Sequence, residues 1–521
     1  MQGRLPNETA ATALLTNTRS VVSLGIPLLF SMLVLTYLTS SRGAVVSLGV
    51  ATLVGIVTVM VLWPELATLT VVCVLYLNLM AIAVKELHLT EWVAAMGALS
   101  LCLPLASHLM LRRQRIKTGG ILMLMGVFLV CLLFSSFFAK DPDLATQRIL
   151  TYVFEGLVLY FLVTNVIRDL GTLKRVMWVV VLGAAFLGSL SLYQAVTGAY
   201  TQRFGGLAQR QLAFEETGRG NRTGPREEMR VADRASGPIG DPNRYAQNEL
   251  MILPFAIFLL WYERSRLGRL VAAGSAMLIL AAVTLSYSRG AFVTLAALLL
   301  LLAMRQRERR WSILGGAALL LMLLVAIAPG YRGRLETLLG VQGLFSAQAS
   351  EQPDGATRGR TTEMLAAVHV FRDYPIFGVG PAQYAPFYSI SYHRNPEIAF
   401  RYLPRTRRAH NLYAELAAET GLLGLTVFLF LVGRLLYQLW QASRRWVFNR
   451  PDLANLATTF VFSIAAYLGT ALFLHLSYER YYWLLLALAS AALQLGSAEY
   501  RSMRGLRSVP SVSPIRQRQS P

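Results

Sequence analysis

The sequence predicts an all-α polytopic membrane protein with roughly 12–14 transmembrane helices. The composition indicates this first, since 55% of the 521 residues are hydrophobic and only 15% are charged, too few to cover a soluble protein of this size. The apolar residues also form long blocks without the alternation typical of a transmembrane β-barrel. Finally, clusters of arginine recur at every second connection between blocks, as expected of a cytoplasmic face.

The apolar blocks are each long enough to cross a hydrocarbon core of about 30 Å as a helix. The first is followed at once by another with no small-residue cleavage site, which favours a retained span over a signal peptide. The second and third are separated only by Trp63-Pro64-Glu65 and could instead form one broken hairpin. The predicted cores are 21–39, 44–62, 66–84, 92–111, 119–138, 149–167, 173–196, 244–262, 268–286, 289–304, 311–328, 410–440, 456–475 and 479–497.

The net charge of +21 would suggest nucleic acid as a partner of a soluble protein. Here the arginines concentrate in alternate short connections, such as 112–117 and 305–310, whereas the intervening connections are close to neutral. Positive charge retained on the cytoplasmic side explains this without nucleic acid. With an even number of spans, both termini are then predicted to be cytoplasmic, in a bacterial inner membrane.

Two long polar connections are predicted on the outer side, about 198–243 and 329–409, the second with short helices. Within the second, Glu363 to Phe371 is amphipathic, and the pattern leaves open whether it lies along the membrane surface or packs onto the loop's own core. The expected domains are N-terminal transmembrane helices (1–118), a membrane domain (119–500) and a disordered basic cytoplasmic tail (501–521).

No metal, cofactor or redox site is predicted. The three cysteines lie in apolar blocks, spaced too widely for a metal knuckle or a CxxC pair. The sequence contains no HExxH pair and no recognisable Ser/His/Asp set. We therefore expect arginine, which is every cation of the two long loops, to neutralise anionic substrate groups.

Two arginine-bearing clusters border apolar blocks on the outer side. In the first, Arg234 and Arg244 flank the start of a helix that Asp241 or Asn243 is suited to cap. Free backbone N–H groups and two guanidinium groups there indicate an anion site. In the second, a very short connection holds Arg289 at the membrane interface. Arg289 could be functional or merely interfacial, whereas Asp241 and Asn243 could be no more than capping residues.

Two further clusters lie in and after the second long loop. Gly378-Val-Gly380 follows Asp373-Tyr-Pro and predicts a shaped turn, since its glycines fit neither a dinucleotide fingerprint nor a P-loop. His410 heads a helix where the chain re-enters the membrane, and this position suits proton transfer at a wet interface. Glu419 lies two to three turns further along that helix, too far for a hydrogen bond to His410.

Together these clusters resemble the O-antigen ligase and polymerase superfamily. His410-Asn411 followed by Glu419-Thr-Gly421-Leu-Leu-Gly424 resembles the family's C-terminal signature, and Ser288-Arg289-Gly290 resembles its S-R-G-A turn. Arg234 through Ala246, and Arg360 upstream of Pro375-Ile-Phe-Gly378-Val-Gly380, resemble two further segments. The order of the motifs and the large outer loop also match, over roughly residues 120–500.

The resemblance implies a metal-independent, inverting membrane glycosyltransferase that needs no cofactor. Its donor would be a glycan on undecaprenyl diphosphate at the outer face of the inner membrane, in lipopolysaccharide or exopolysaccharide biosynthesis. The acceptor would be a glycan, lipid A–core or a protein, with other polysaccharide-assembly proteins as possible partners. The implied roles are catalysis by His410 and Arg289, diphosphate binding by Arg234, Arg244, Arg289 and Arg360, and support from Asn243, Glu419 and Gly380.

Two functions from other classes compete with this hypothesis. A transporter of lipid-linked glycan would need a polar path through the membrane, but the polar clusters gather on one predicted face. A non-catalytic scaffold of a polysaccharide assembly complex would tolerate substitution of His410 or Arg289. Ligase, polymerase and protein glycosyltransferase share the same motifs, so the sequence does not distinguish them.

Overall fold

The structure is a computed structural model. It describes residues 57–86, 88–90, 99–209, 212–215, 228–231, 233–305, 308, 310–327, 355–398, 400, 403, 405–476 and 479–507. The predicted span 21–39, most of 44–62 and the first part of 92–111 lie outside the described residues, and so does the tail beyond 507. The prediction of a disordered tail from 501 is therefore tested only at its start, where the last helix continues to Arg507.

The first half of the described chain is a series of apolar helices with one bent pair. A 56° bend separates the first two helices, which together form one broken span or a re-entrant loop. The third helix ends in a π-helical turn at Ser107–Leu111. A second π-helical turn, at Tyr152–Val158, interrupts the fifth helix. The helices are α1 (Pro64–Tyr76), α2 (Leu79–Glu86), α3 (Cys102–Leu111), α4 (Gly120–Ser136), α5 (Pro142–Val166) and α6 (Leu170–Thr197).

The second half continues with helices on both sides of the second long loop. They are α7 (Pro242–Tyr262), α8 (Arg266–Leu285), α9 (Arg289–Arg305), α10 (Arg310–Ile327), α11 (Gly355–Asp373), α12 (Ser389–His393), α13 (Leu412–Trp446), α14 (Pro451–Thr470) and α15 (Glu479–Arg507). The first long loop holds an antiparallel hairpin of β1 (Leu212–Glu215) and β2 (Glu228–Val231), with Leu212 opposite Val231. The sequence patterns did not predict this hairpin.

The all-α polytopic fold is confirmed. Six described helices are long and apolar enough to cross a membrane, or seven when the bent pair α1–α2 counts as one span. The larger number of spans stays a prediction. Helix α7, predicted as a span, is not among the six because its first turns carry Arg244, Gln247, Asn248 and Glu249, all of them buried inside the bundle.

The second long loop has a small core of its own, built against the first turns of α13. Ala367 and Val370 of α11 pack with Tyr384, Ala409 and Ala418. The amphipathic stretch Glu363–Phe371 belongs to α11. Of the two alternatives left open by its pattern, the structure favours packing onto the loop's core.

Helix α13 is broken at Gly421, whose φ of 63° and ψ of −164° are not helical. The 375–380 turn fills the break. The N–H groups of Val379 and Gly380 donate to the carbonyl oxygens of Ala418 (2.9 Å) and Glu419 (3.0 Å), and Leu422 N–H donates to Pro375 O (2.8 Å). Backbone groups freed inside an apolar bundle must find such partners, so the turn completes the broken helix.

Glycine is required on both sides of this interlock. A Cβ on Gly421 would lie 2.2 Å from the carbonyl oxygen of Ile376, and one on Gly378 would lie 2.4 Å from the carbonyl carbon of Glu419. Both residues also have positive φ, where side chains are strained. The two glycine motifs are therefore two halves of one joint, which attaches the second long loop to α13.

Candidate functional site

His410 occupies a turn that a buried carboxylate holds in place. Glu415, on the first turns of α13, accepts hydrogen bonds from the Arg408 guanidinium and, at 2.9 Å, from the Ala409 N–H. The next residue, Asn411, caps α13 by accepting from Ala414 N–H at 2.9 Å. Between these anchors His410 has a φ of +48°, a strained conformation that the surrounding contacts impose.

The His410 ring faces two acceptors through one nitrogen. Its Nδ1 lies 3.1 Å from the carbonyl oxygen of Arg408 and 2.7 Å from Glu363 Oε2. The carbonyl meets hydrogen-bond geometry, whereas the carboxylate oxygen makes a close charge contact without it. Since neither atom can donate, we assign the proton to Nδ1. That tautomer leaves the Nε2 lone pair of His410 free to accept a proton.

Glu363 is the functional candidate that sequence reasoning missed. Its side chain is 1% exposed, whereas that of His410 is 28% exposed, so the carboxylate lies behind the ring. Its other oxygen lies 3.4 Å from Arg407 Nη1. The available signal was its place at the head of the amphipathic stretch, because a carboxylate that packs with an apolar helix face requires a partner.

A second histidine, His475, stands edge-on to His410 with ring centroids 5.4 Å apart. Its Nε2 lies 2.6 Å from Arg244 Nη2, and its carbonyl oxygen accepts from Arg244 Nη1 at 3.1 Å. Burial, followed by the charges of Arg408 and Arg244, holds the pKa of His475 well below its usual value. His475 is therefore a neutral acceptor and a spacer between Arg244 and His410.

Arg244, predicted to bind diphosphate, is buried in this arrangement. Its side chain is 7% exposed, and its Nε lies 3.8 Å from Asp241 Oδ2. Asp241 is the N-cap of α7, as the sequence indicated, and accepts from Asn243 N–H at 2.8 Å. The geometry favours a positioning role for Arg244, which anchors the 471–476 connection beneath His410.

The same connection is anchored from its other side by Arg148, which sequence reasoning also missed. Its Nη1 lies 2.5 Å from Glu479 Oε1, and its Nη2 donates to Leu476 O at 3.3 Å. Glu479 is buried and also accepts from the indole N–H of Trp483. Polar groups beneath the site are thus paired with one another, which keeps the connection in one position.

Beside this connection lies a small pocket that one of the predicted arginines lines and two others adjoin. Arg360 lines it, and Arg289 lies between the lining residues Ser288 and Gly290. Arg234 donates to Ser286 O at 2.8 Å and, at 3.3 Å, to Oδ1 of Asn243, another lining residue. Phe473 and Leu474 complete the wall and lead directly to His475.

One face of α11 links the arginine pocket to the histidine. Thr357 accepts from Arg289 Nη1 at 3.2 Å, Arg360 lines the pocket and Glu363 contacts His410. These three residues follow one another at intervals of three, which places them along one side of a helix over about 9 Å. A single helix therefore sets the distance between the pocket and the ring.

The remaining predicted residues lie at the interlock. The carbonyl of Glu419 accepts from the Gly380 N–H at 3.0 Å and from Ser135 Oγ at 2.6 Å, and its side chain is buried. Among the described residues, no contact joins His410 to Glu419 or Gly380. Across the described ranges, no group of three or more His, Cys, Asp or Glu residues is arranged to hold a metal ion.

A family model matches part of this chain. Residues 274–429 match a family model described as O-Antigen ligase. The matched region contains Arg289, Arg360, Glu363 and His410, whereas Arg234, Arg244 and His475 lie outside it. No curated protein matches the chain. The match supports the O-antigen ligase superfamily and places a domain of that family at residues 274–429 of this chain.

Proposed function

We propose that this protein transfers a glycan from undecaprenyl diphosphate to an acceptor hydroxyl at the outer face of the bacterial inner membrane. The observation that carries the proposal is the pairing of His410 with the buried Glu363. Glu363 lies on the same face of α11 as Arg360, which lines the pocket. A proton acceptor beside a cationic pocket suits a reaction that deprotonates a hydroxyl while releasing a diphosphate.

In the proposed reaction the acceptor hydroxyl gives its proton to Nε2 of His410. Its oxygen attacks the anomeric carbon as the bond from that carbon to the diphosphate oxygen breaks. A single displacement of this kind inverts the anomeric configuration. Glu363 stabilises the imidazolium that forms, because its carboxylate lies 2.7 Å from Nδ1. No metal or cofactor is required, since the charge that develops on the leaving group falls to arginine.

The leaving diphosphate occupies the pocket lined by Arg360. Arg289 supplies a permanent charge and planar donors that match phosphate oxygens, and Arg234 adds a third cation held by Asn243. The lipid tail of the donor would lie between helices, which a helical bundle permits. We assign catalysis to His410 and Arg289, and donor binding to Arg234 and Arg360 as well.

The test is glycan transfer in proteoliposomes that contain the purified protein, lipid-linked donor and acceptor. We expect His410→Ala to lower transfer at least about 100-fold, with donor binding retained. The matched control is His369→Ala, a histidine of α11 that the site does not use. Full transfer by His410→Ala would rule out the base. Movement of lipid-linked glycan across the bilayer without transfer would favour a transporter, and complementation of a deletion strain by His410→Ala would favour a scaffold.

The acceptor is tested separately by the glycan profile of a deletion strain. Single repeat units left on the lipid carrier would identify a polymerase of O-antigen or exopolysaccharide. Full-length chains accumulating on the carrier would identify a ligase acting on lipid A–core, or on protein.

A further inference from the structure

A second polar cluster lies at the opposite end of the bundle from His410. Helix α5 connects the two, because it carries Arg148 near the site and Asn165 at its other end. Seventeen residues of helix separate them, which corresponds to about 25 Å, close to the thickness of a hydrocarbon core. The second cluster therefore lies at the other membrane face, which the arginine pattern predicts to be cytoplasmic.

The cluster contains buried donors that the described part of the protein leaves unsatisfied. Arg168 donates through Nη1 to Arg115 O at 2.9 Å. Its Nε and Nη2 atoms are buried, and no partner for them is found among the described residues. His108 is 2% exposed. Its ring nitrogens make no hydrogen bond of good geometry within the described ranges, although the Val166 backbone lies near one of them. Buried polar groups of a folded protein are rarely left in this state.

The surrounding charges are positive. Arg112, Arg168 and Lys117 lie close enough to His108 for their positive charges to interact with its ring. Burial and the charge of Arg168 lower the pKa of Lys117. The adjacent carboxylate, Asp169, already accepts from the N–H and hydroxyl of Thr172 as the N-cap of α6.

The backbone beside these charges is held in position. Asn165 accepts from Lys117 N–H at 2.7 Å and donates to Lys117 O at 3.0 Å. The cations are thus assembled in advance of any anion. Gln114 Oε1 is also buried and unsatisfied within the described ranges, and a half-turn of its amide would present N–H donors instead.

The Nε and Nη2 edge of Arg168 determines which ligand the cluster can bind. The Nε–H and Nη2–H groups of a guanidinium are parallel and bind two oxygens of one phosphate. Apolar side chains border the cluster on the outside, with Met110 78%, Leu111 49% and Ile116 51% exposed. A phosphate attached to acyl chains would satisfy both features. A basic pocket between helices on this side of a membrane is suited to an anionic headgroup.

We propose that His108, Arg168 and Lys117 form a binding site for the phosphate of an anionic phospholipid headgroup, whose acyl chains pack against Met110, Leu111 and Ile116. The lipid supplies the negative charge that no described residue places against the Nε and Nη2 edge of Arg168. The site does not depend on the glycan-transfer function, because it lies at the opposite membrane face and shares no residue with it.

The test is native mass spectrometry of the full-length protein in detergent, with phosphatidylglycerol, phosphatidylcholine or inorganic phosphate added. We expect phosphatidylglycerol to be retained in preference to phosphatidylcholine, and Arg168→Gln to weaken that retention about tenfold. The matched control, Arg269→Gln, removes the same charge from an exposed position on the same predicted face and should keep the preference. Arg168→Lys keeps the charge but loses the two-pronged edge, so it should lose most of the preference while folding normally.

Two results would overturn the proposal. Equal retention of the two lipids by the unmodified protein would remove the anionic site, and this measurement needs no variant. Equal losses in Arg168→Gln and Arg269→Gln would reduce the preference to general surface charge. Displacement of bound phosphatidylglycerol by millimolar inorganic phosphate, with dependence on Arg168, would assign the site to soluble phosphate and overturn the lipid as its ligand.

Discussion

Two polar clusters at opposite ends of this helical bundle, one around His410 and one around Arg168, differ in what holds their positive charges. At the His410 end, internal carboxylates hold the cations, as Glu415 holds Arg408 and Glu479 holds Arg148. At the other end, the buried edge of Arg168 lacks such a partner within the described residues. The first arrangement orients charged groups before a substrate arrives, whereas the second leaves positive charge for an external anion. Variants at both clusters and at the segments that support them test that contrast.

The largest effect on stability is expected from disrupting the contact between the 375–380 turn and the break in α13. Gly421 has a backbone conformation essentially reserved for glycine, and an added Cβ would lie 2.2 Å from Ile376 O. We expect Gly421→Ala to destabilise the protein by about 3 kcal/mol or more, seen as early heat aggregation in detergent and loss of transfer.

Gly433→Ala is the matched control, in the same helix but with open space around the added Cβ. It should melt like the unmodified protein or slightly higher, since alanine favours helix by up to about 1 kcal/mol. Similar melting of the two variants would mean that the 375–380 turn does not lock the break.

The next effect comes from removing the charge behind His410. Glu363→Gln keeps the shape but loses the stabilisation of an imidazolium, and we expect a fall in the transfer rate of about 100-fold with little change in donor KM. Glu363→Asp, which keeps the negative charge behind the ring, should recover part of the lost rate.

Glu397→Gln, an exposed carboxylate of the same loop, is the control for Glu363→Gln and should leave the rate unchanged. A Glu363→Asp enzyme as slow as Glu363→Gln would point to a structural role for the carboxylate.

A smaller effect is expected at the arginine pocket. Arg289→Lys retains one positive charge but not the planar guanidinium, one nitrogen of which donates to Thr357. We expect donor KM to rise about tenfold with a modest loss of rate, measured with varied lipid-linked donor. Arg264→Lys, in a short connection away from the pocket, is the control. Unchanged donor KM in Arg289→Lys would remove this residue from the diphosphate site.

The smallest effect on transfer is expected at His475, where a neutral acceptor suffices for Arg244. His475→Gln should keep transfer within about fivefold, since the loss is at most one hydrogen bond of about 1 kcal/mol. The folded protein holds the pKa of His475 below the unfolded value near 6.5, so the unfolded chain binds more protons. Stability should therefore fall as the pH drops below about 6.5.

His475→Gln should lose that part of the acid sensitivity, which melting curves at pH 7.5 and 5.5 can measure. An unmodified protein and a variant with the same dependence on pH would show that His475 is not the group responsible.

The sequence by itself determined the polytopic helical class, the two long loops, the cap at Asp241 and the identity of the motif residues. These features follow from local physics, namely the length of apolar blocks, the capping preference of aspartate and the spacing of residues along a helix. Arg234, Arg289 and His410 were identified in this way, and Arg360 through the family resemblance. In the structure Arg360 lines a small pocket, which Arg234 and Arg289 adjoin.

Only the tertiary structure decided how distant segments meet. Glu363 was visible as part of an amphipathic stretch, but its contact with His410 joins residues 47 positions apart. Gly380 and Gly421 were read as separate motifs, yet they form one joint because a broken helix must recover its backbone hydrogen bonds from another segment. Arg244 looked available to a ligand, and packing buried it against His475. Pairings of this kind depend on which surfaces the fold presses together, which the spacing of residues along one chain does not encode.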